Sequence, residues 1–167
     1  MILVGGGSRS GKSAAALEML RAAGSRQGFI ATAQAWDDEM RERIARHKAE
    51  RGPEIVTWEE PFAVAERIEK EDGQYDAIVV DCLTLWLTNL MLAETYSLES
   101  ECRRLVDVCE RASTKVILVT NEVGCGIVPE NALARRFRDE AGRLNQLAAS
   151  SAQEVHWMVF GIGMRMK

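Results

Sequence analysis

A glycine-rich loop near the N-terminus constrains this chain more than any other feature. Met1-Ile2-Leu3-Val4 is a short apolar run, Gly5 to Ser13 reads GGGSRSGKS, and Ala14-Ala15-Ala16-Leu17-Glu18-Met19-Leu20 is helix-forming. Gly6, Gly11, Lys12 and Ser13 fit the spacing of a phosphate-binding loop, in the strand–loop–helix setting that the motif requires. Glycines let the backbone turn tightly and bring its N–H groups against phosphate oxygens. The N-terminus of the following helix adds partial positive charge. Lys12 is expected to reach the β- and γ-phosphates, and Ser13 to hold Mg²⁺. The loop fixes a triphosphate but does not name the reaction.

The rest of the chain bounds that reading. Its 167 residues predict one domain, 1–167, large enough for a real core. A net charge of −4 supplies no global basic field for nucleic acid. The apolar stretches are far shorter than a membrane span, and no basic, apolar-cored leader precedes the first strand. Cys82, Cys102, Cys109 and Cys125 form no C-x-x-C pair, so neither a zinc site nor a redox motif is indicated. Reduced thiols in a cytoplasmic protein are the expectation, with Cys102 and Cys109 as small core residues on one helix face.

Short β-like runs alternate with helical segments, the pattern of βα units and a parallel sheet. Strands are predicted at 28–33, 54–58, 75–81, 115–120 and 155–160, with 161–167 returning as a short antiparallel edge strand. Helices are predicted from Asp37-Asp38 to Gly52-Pro53, from Pro61 to Glu71, from Leu83 to Leu92, from Glu99 to Ala112 and from Ala132 to Ala149. Met40, Ile44, His47 and Arg51 share one face of the helix that starts near Asp37. Pro61 suits the first turn of the next helix.

Several residues could carry chemistry. Asp81 ends a buried run, where a nucleotide-binding α/β fold places an acid that serves Mg²⁺, the favoured reading over a plain cap on the following helix. His47 stands among Arg41, Arg43, Arg46, Lys48 and Arg51. A neutral imidazole there can attack an α-phosphorus, with Lys48 and Arg51 offsetting charge on the phosphates. The plainer reading makes His47 the polar end of an apolar helix face. Asn121 and Glu122 sit at a strand's carboxyl end, as rim ligands or as turn caps. His156 reads as a packed or edge histidine; Arg135, Arg136, Arg138 and Arg143 could meet an anionic substrate, but such a run of charges reads first as a solvated face. No base-reading Asn-Lys-x-Asp follows the loop, which disfavours a regulatory GTP-binding module.

The chain resembles the bifunctional adenosylcobinamide kinase/adenosylcobinamide-phosphate guanylyltransferase family. The likeness rests on Gly6 to Ser13, on Ile30-Ala31-Thr32-Ala33-Gln34 with Asp37-Asp38-Glu39-Met40, Arg43-Ile44 and His47-Lys48, and on Val119 to Gly124 with Gly126 to Glu130. Arg138-Asp139, Ala141-Gly142-Arg143, Asn145-Gln146 and Gly161-Ile162-Gly163 complete it. The resemblance implies a P-loop NTPase with a RecA-like, mostly parallel sheet, helices on both faces and a homotrimeric assembly. It implies phosphorylation of adenosylcobinamide by ATP or GTP, then GMP transfer from GTP through a guanylylated histidine, here His47 beside Arg46. The implied nucleotide contacts are Gly6, Gly7, Ser8, Arg9, Ser10, Gly11, Lys12 and Ser13 in the loop and Thr32, Ala33 and Gln34 at the end of the second strand. They continue at Lys48, Ala49, Glu50 and Arg51, at Glu59 or Glu60, and at Asp81. Lys12 and His47 are the implied catalytic residues, and Ser13 and Asp81 the Mg²⁺ ligands.

Overall fold

The fold was analysed in a computed structural model. It describes residues 1–35 and 37–167, with Glu39, Arg43 and Glu50 described as backbone only. The described residues form seven strands and six helices: β1 (Ile2–Gly6), α1 (Lys12–Ala23), β2 (Gln27–Ala31), α2 (Asp38–Arg51), β3 (Val56–Glu59), α3 (Val64–Glu71), β4 (Ala77–Asp81), α4 (Leu83–Ala93), α5 (Leu98–Arg111), β5 (Lys115–Val119), α6 (Ala132–Ser151), β6 (Glu154–Val159) and β7 (Ile162–Arg165).

One sheet holds every strand, in the order β3-β2-β4-β5-β1-β6-β7. All neighbours run parallel except β6 and β7, which pair antiparallel through His156↔Arg165 to Val159↔Ile162. The expected mostly parallel α/β sheet with an antiparallel C-terminal edge is therefore present. Strands β1, β4 and β5 are apolar on both faces, as a sheet covered on both sides demands. Leu3, Ile30, Ile78, Val80, Val116 and Leu118 point to one side, under α3, α4, α5 and α6. Val4, Phe29, Ala31, Val79, Ile117 and Val119 point to the other, under α1. Helices thus cover both faces, but unequally.

Most element boundaries move by a residue or two. The third helix differs more: it begins at Val64, so Pro61 does not sit in its first turn. Glu60 Oε1 accepts the Ala63 N–H at 3.0 Å, and the Pro61 carbonyl accepts Asn89 Nδ2 at 3.0 Å. Those two bonds hold 60–63 as a separate loop ahead of the helix. Cys109 lies in the core and Cys102 packs against it; burial pushes both thiols up to about 12. All four cysteines are free, though Cys125 is exposed rather than internal. Among the described residues no helix is long and apolar enough to cross a membrane.

The carboxyl ends of β2 and β4 are tied by a buried hydroxyl. Thr32 Oγ1 donates to the Cys82 carbonyl and accepts the Cys82 N–H, each at 2.8 Å. Thr32→Val keeps the shape and removes both bonds, leaving the Cys82 N–H without that acceptor. Chemical denaturation should show a loss of about 1–3 kcal/mol.

Candidate active site

The phosphate loop occupies the carboxyl end of β1, between the loop that follows β5 and the hairpin that joins β6 to β7. Gly6 has φ +153°, and a Cβ there would lie 2.5 Å from the Met158 carbonyl oxygen, so only glycine fits. Gly11 adopts φ +94° as it opens α1. The hairpin turn braces the loop from outside, with the Gly161 N–H donating to the Ser10 carbonyl at 3.0 Å. Lys12 is buried; its Nζ donates to the Gly7 carbonyl at 2.5 Å and lies 3.4 Å from Ser10 Oγ. Ser13 Oγ donates to Asp81 Oδ2 at 2.7 Å, joining the start of α1 to the end of β4.

These groups form the floor of a cleft of about 1060 Å³, and α2 forms its far wall. Asp37 caps that helix by accepting the Met40 N–H at 2.7 Å. From Met40 onward, Ile44, His47 and Arg51 face the cleft, as their spacing predicts, and Lys48 lines it beside them. His47 is half-buried. The Arg51 guanidinium is buried, 3.8 Å over the Phe29 ring and 3.4 Å from Thr57 Oγ1. Lys48 meets Glu59 at 3.5 Å. The cleft-facing side of α2, with Lys48 and Arg51, thus stands opposite a glycine-rich loop, a charge arrangement suited to an anionic ligand.

Ser8 to Ser13, Ala33, Gln34, His47, Lys48, Arg51, Glu59 and Asp81 therefore meet in one cleft. Glu59, not Glu60, faces it; Glu60 caps the loop before α3 instead. Gly6 and Thr32 are buried in structural roles, and Gly7 offers its carbonyl to Lys12. Ala49 is exposed and outside the cleft wall. The side chain of Glu50, another expected contact, lies outside the described residues, as does that of Arg43. His156 is a partly buried residue of β6, paired between β1 and β7 and bonded to Glu154 at 3.0 Å.

Sequence reading left the far rim unassigned. Asn121 and Glu122 both line the cleft. Asn121 Nδ2 donates to Thr84 Oγ1 at 2.6 Å, and Thr84 Oγ1 lies 3.0 Å from Cys82 Sγ. Glu122 accepts the Gly124 N–H at 2.6 Å and the Cys125 N–H at 3.0 Å. Burial pushes its carboxyl up, but those N–H bonds and the Arg138 charge outweigh this and hold it below the usual glutamate range. Arg138 also donates to the Gly124 carbonyl at 2.5 Å, so it is a loop clamp rather than part of a solvated face. The sequence signals for this rim are the run Asn121-Glu122-Val123-Gly124 after an apolar strand and the family likeness of that stretch with Gly126 to Glu130.

The fold and the cleft define a P-loop nucleotide-binding α/β protein whose phosphate loop faces a helix that presents Lys48, Arg51 and one histidine. A family model described as cobinamide kinase / cobinamide phosphate guanyltransferase matches residues 2–166, and the chain belongs to that family, enzymes of cobalamin biosynthesis. It is 43% identical over 166 residues to the bifunctional adenosylcobalamin biosynthesis protein CobP of Pseudomonas aeruginosa, covering 99% of this chain and 96% of that one. It is 44% and 41% identical over 181 residues to the proteins named CobU of Salmonella typhimurium and Escherichia coli, covering 100% of this chain and 99% of each.

Glu122 supplies a pH test. Its folded carboxyl titrates below the 4.5 of a free glutamate, so its ionised form stabilises the fold. That contribution is complete above the unfolded value and is lost as pH falls through the lowered folded one. Urea unfolding of wild type and Glu122→Gln should therefore differ most near neutrality, and the gap should close as the solution is acidified.

Proposed function

We propose that residues 1–167 act as one domain performing both reactions of the family name, with Lys12 and His47 as catalytic residues. The observation that carries this is the meeting of His47 with Lys12, Ser13 and Asp81 in one cleft. In the kinase step the aminopropanol hydroxyl of adenosylcobinamide attacks the γ-phosphorus of ATP or GTP. The bond from the γ-phosphorus to the β-phosphate oxygen breaks, the nucleoside diphosphate leaves, and the hydroxyl proton passes to solvent. Lys12 and the loop N–H groups offset the charge on the transferring and leaving groups.

In the second step an imidazole nitrogen of His47 attacks the α-phosphorus of GTP. A P–N bond forms, the α–β phosphoanhydride bond breaks, and pyrophosphate leaves. The phosphate of adenosylcobinamide phosphate then attacks the guanylyl phosphorus, breaking the P–N bond and yielding adenosylcobinamide-GDP with His47 restored. Lys48 and Arg51, on the same helix face, favour the triphosphate electrostatically.

The donor set at the cleft floor fits Mg²⁺. Ser13 Oγ and Asp81 Oδ2 are hard oxygens already 2.7 Å apart. Among the described residues no group of three or more His, Cys, Asp or Glu could hold a metal. Few protein ligands, completed by phosphate oxygens and water, is how Mg²⁺ is commonly held. When bound, it would neutralise phosphate charge. A cytoplasmic homotrimer completes this reading, on the family likeness alone.

Three outcomes test it. His47→Ala should abolish GMP transfer and the protein-bound label from α-labelled GTP, while cobinamide phosphorylation stays measurable. Lys12→Ala should slow both steps at least about a hundredfold, read as kcat/KM. Chelation of divalent cations should stop turnover, with Mg²⁺ restoring it, and Ser13→Ala should raise the Mg²⁺ concentration needed.

A further inference from the structure

The segment from 123 to 133, a loop that runs into the first turn of α6, has an unusual make-up for a surface segment. Ile127 is 96% exposed, Val128 61% and Leu133 50%, and Val123 is exposed where it borders the cleft. The stretch VGCGIVPENAL carries one charge, Glu130. Exposed aliphatic side chains grouped along one short segment form the kind of apolar patch that marks an interaction site.

This crest is also firmly held. Glu122 clamps the N–H groups of Gly124 and Cys125, and Arg138 clamps the Gly124 carbonyl. Arg135 Nη1 donates to the carbonyls of Pro129 at 3.0 Å and Glu130 at 2.6 Å. Asn131 Oδ1 accepts the Ala134 N–H at 3.0 Å, starting α6. At its base the Glu122 N–H donates to the Gly6 carbonyl at 3.0 Å, which stitches the crest to the phosphate loop. Polar clamps therefore fix an apolar ridge directly beside the reacting end of the cleft.

We propose that this ridge is the seat of the corrinoid ring. The inference rests on the function proposed above. A cleft of about 1060 Å³ is at the upper end of what one small-molecule ligand fills, and a nucleoside triphosphate bound there would take much of it. A corrinoid with its adenosyl group is a larger body, carbon-rich across the ring and edged with amides. Only its aminopropanol arm has to enter the cleft; the ring lies outside on the rim. The crest is continuous with the cleft through Val123, and its aliphatic side chains with nearly no charge suit such a ring and repel nothing in it. An anionic nucleotide gains nothing from this surface.

The test uses the double variant Ile127→Ser, Val128→Ser in the full chain. The KM for adenosylcobinamide in the kinase assay should rise about tenfold or more. The KM for GTP, the labelling of His47 by α-labelled GTP (which needs no corrinoid) and the molar mass by light scattering should stay as in wild type. An unchanged corrinoid KM overturns the assignment. So does a changed molar mass or lost labelling, which would make the crest a contact between copies or a structural element. If wild type itself fails to phosphorylate adenosylcobinamide, the proposed function falls, and that outcome is distinct from a functional wild type with an indifferent variant.

Discussion

Ser13 and Asp81 stand 68 residues apart in the chain and share a 2.7 Å hydrogen bond. Much of the architecture serves to hold that pair. Asp81 ends β4 and Ser13 opens α1, yet β4 and β1 are not neighbours; β5 lies between them. Parallel pairing brings all three strands to the same edge, where loops and helix N-termini converge. The Thr32 hydroxyl then fixes the chain as it leaves β4. An acid, a hydroxyl and a buried lysine thus sit together at the one place where N–H groups of a helix start are also available.

The opposite wall works by charge. α2 is short of apolar residues and contributes little to the core, but it aligns His47, Lys48 and Arg51 along the cleft. Arg51 is the exception to its polar character, buried on the Phe29 ring at the end of the helix. That contact anchors the C-terminal turn of α2 to β2, next to the strand ends that carry the site. A cation packed on an aromatic face is desolvated without losing all its stabilisation, which lets the helix end be both anchored and positively charged.

The rim after β5 shows what residue pattern left open. Asn121 and Glu122 read equally well as ligands or as caps. In the fold they line the cleft and brace it at once: Asn121 reaches Thr84 on α4, and Glu122 ties down Gly124 and Cys125. Arg138 looked like one of several arginines on a solvated helix face, yet it bonds a carbonyl fourteen residues upstream. Side-chain bonds to distant backbone leave no periodic trace. Pro61 erred for a related reason, since the capping bond from Glu60 and the reach of Asn89 outweigh a local preference.

Local chemistry alone determined the phosphate loop, the alternation of strands and helices, and the face of α2 that carries His47. Glycine spacing, apolar runs and helical periodicity are written residue by residue, and so was the likeness to the family. Tertiary structure decided which strand ends meet, that Glu59 rather than Glu60 faces the cleft, and that 123–133 stands as a clamped apolar ridge beside it. Those outcomes depend on sheet order and on contacts between residues far apart in sequence, and neither property resides in any single stretch of the chain.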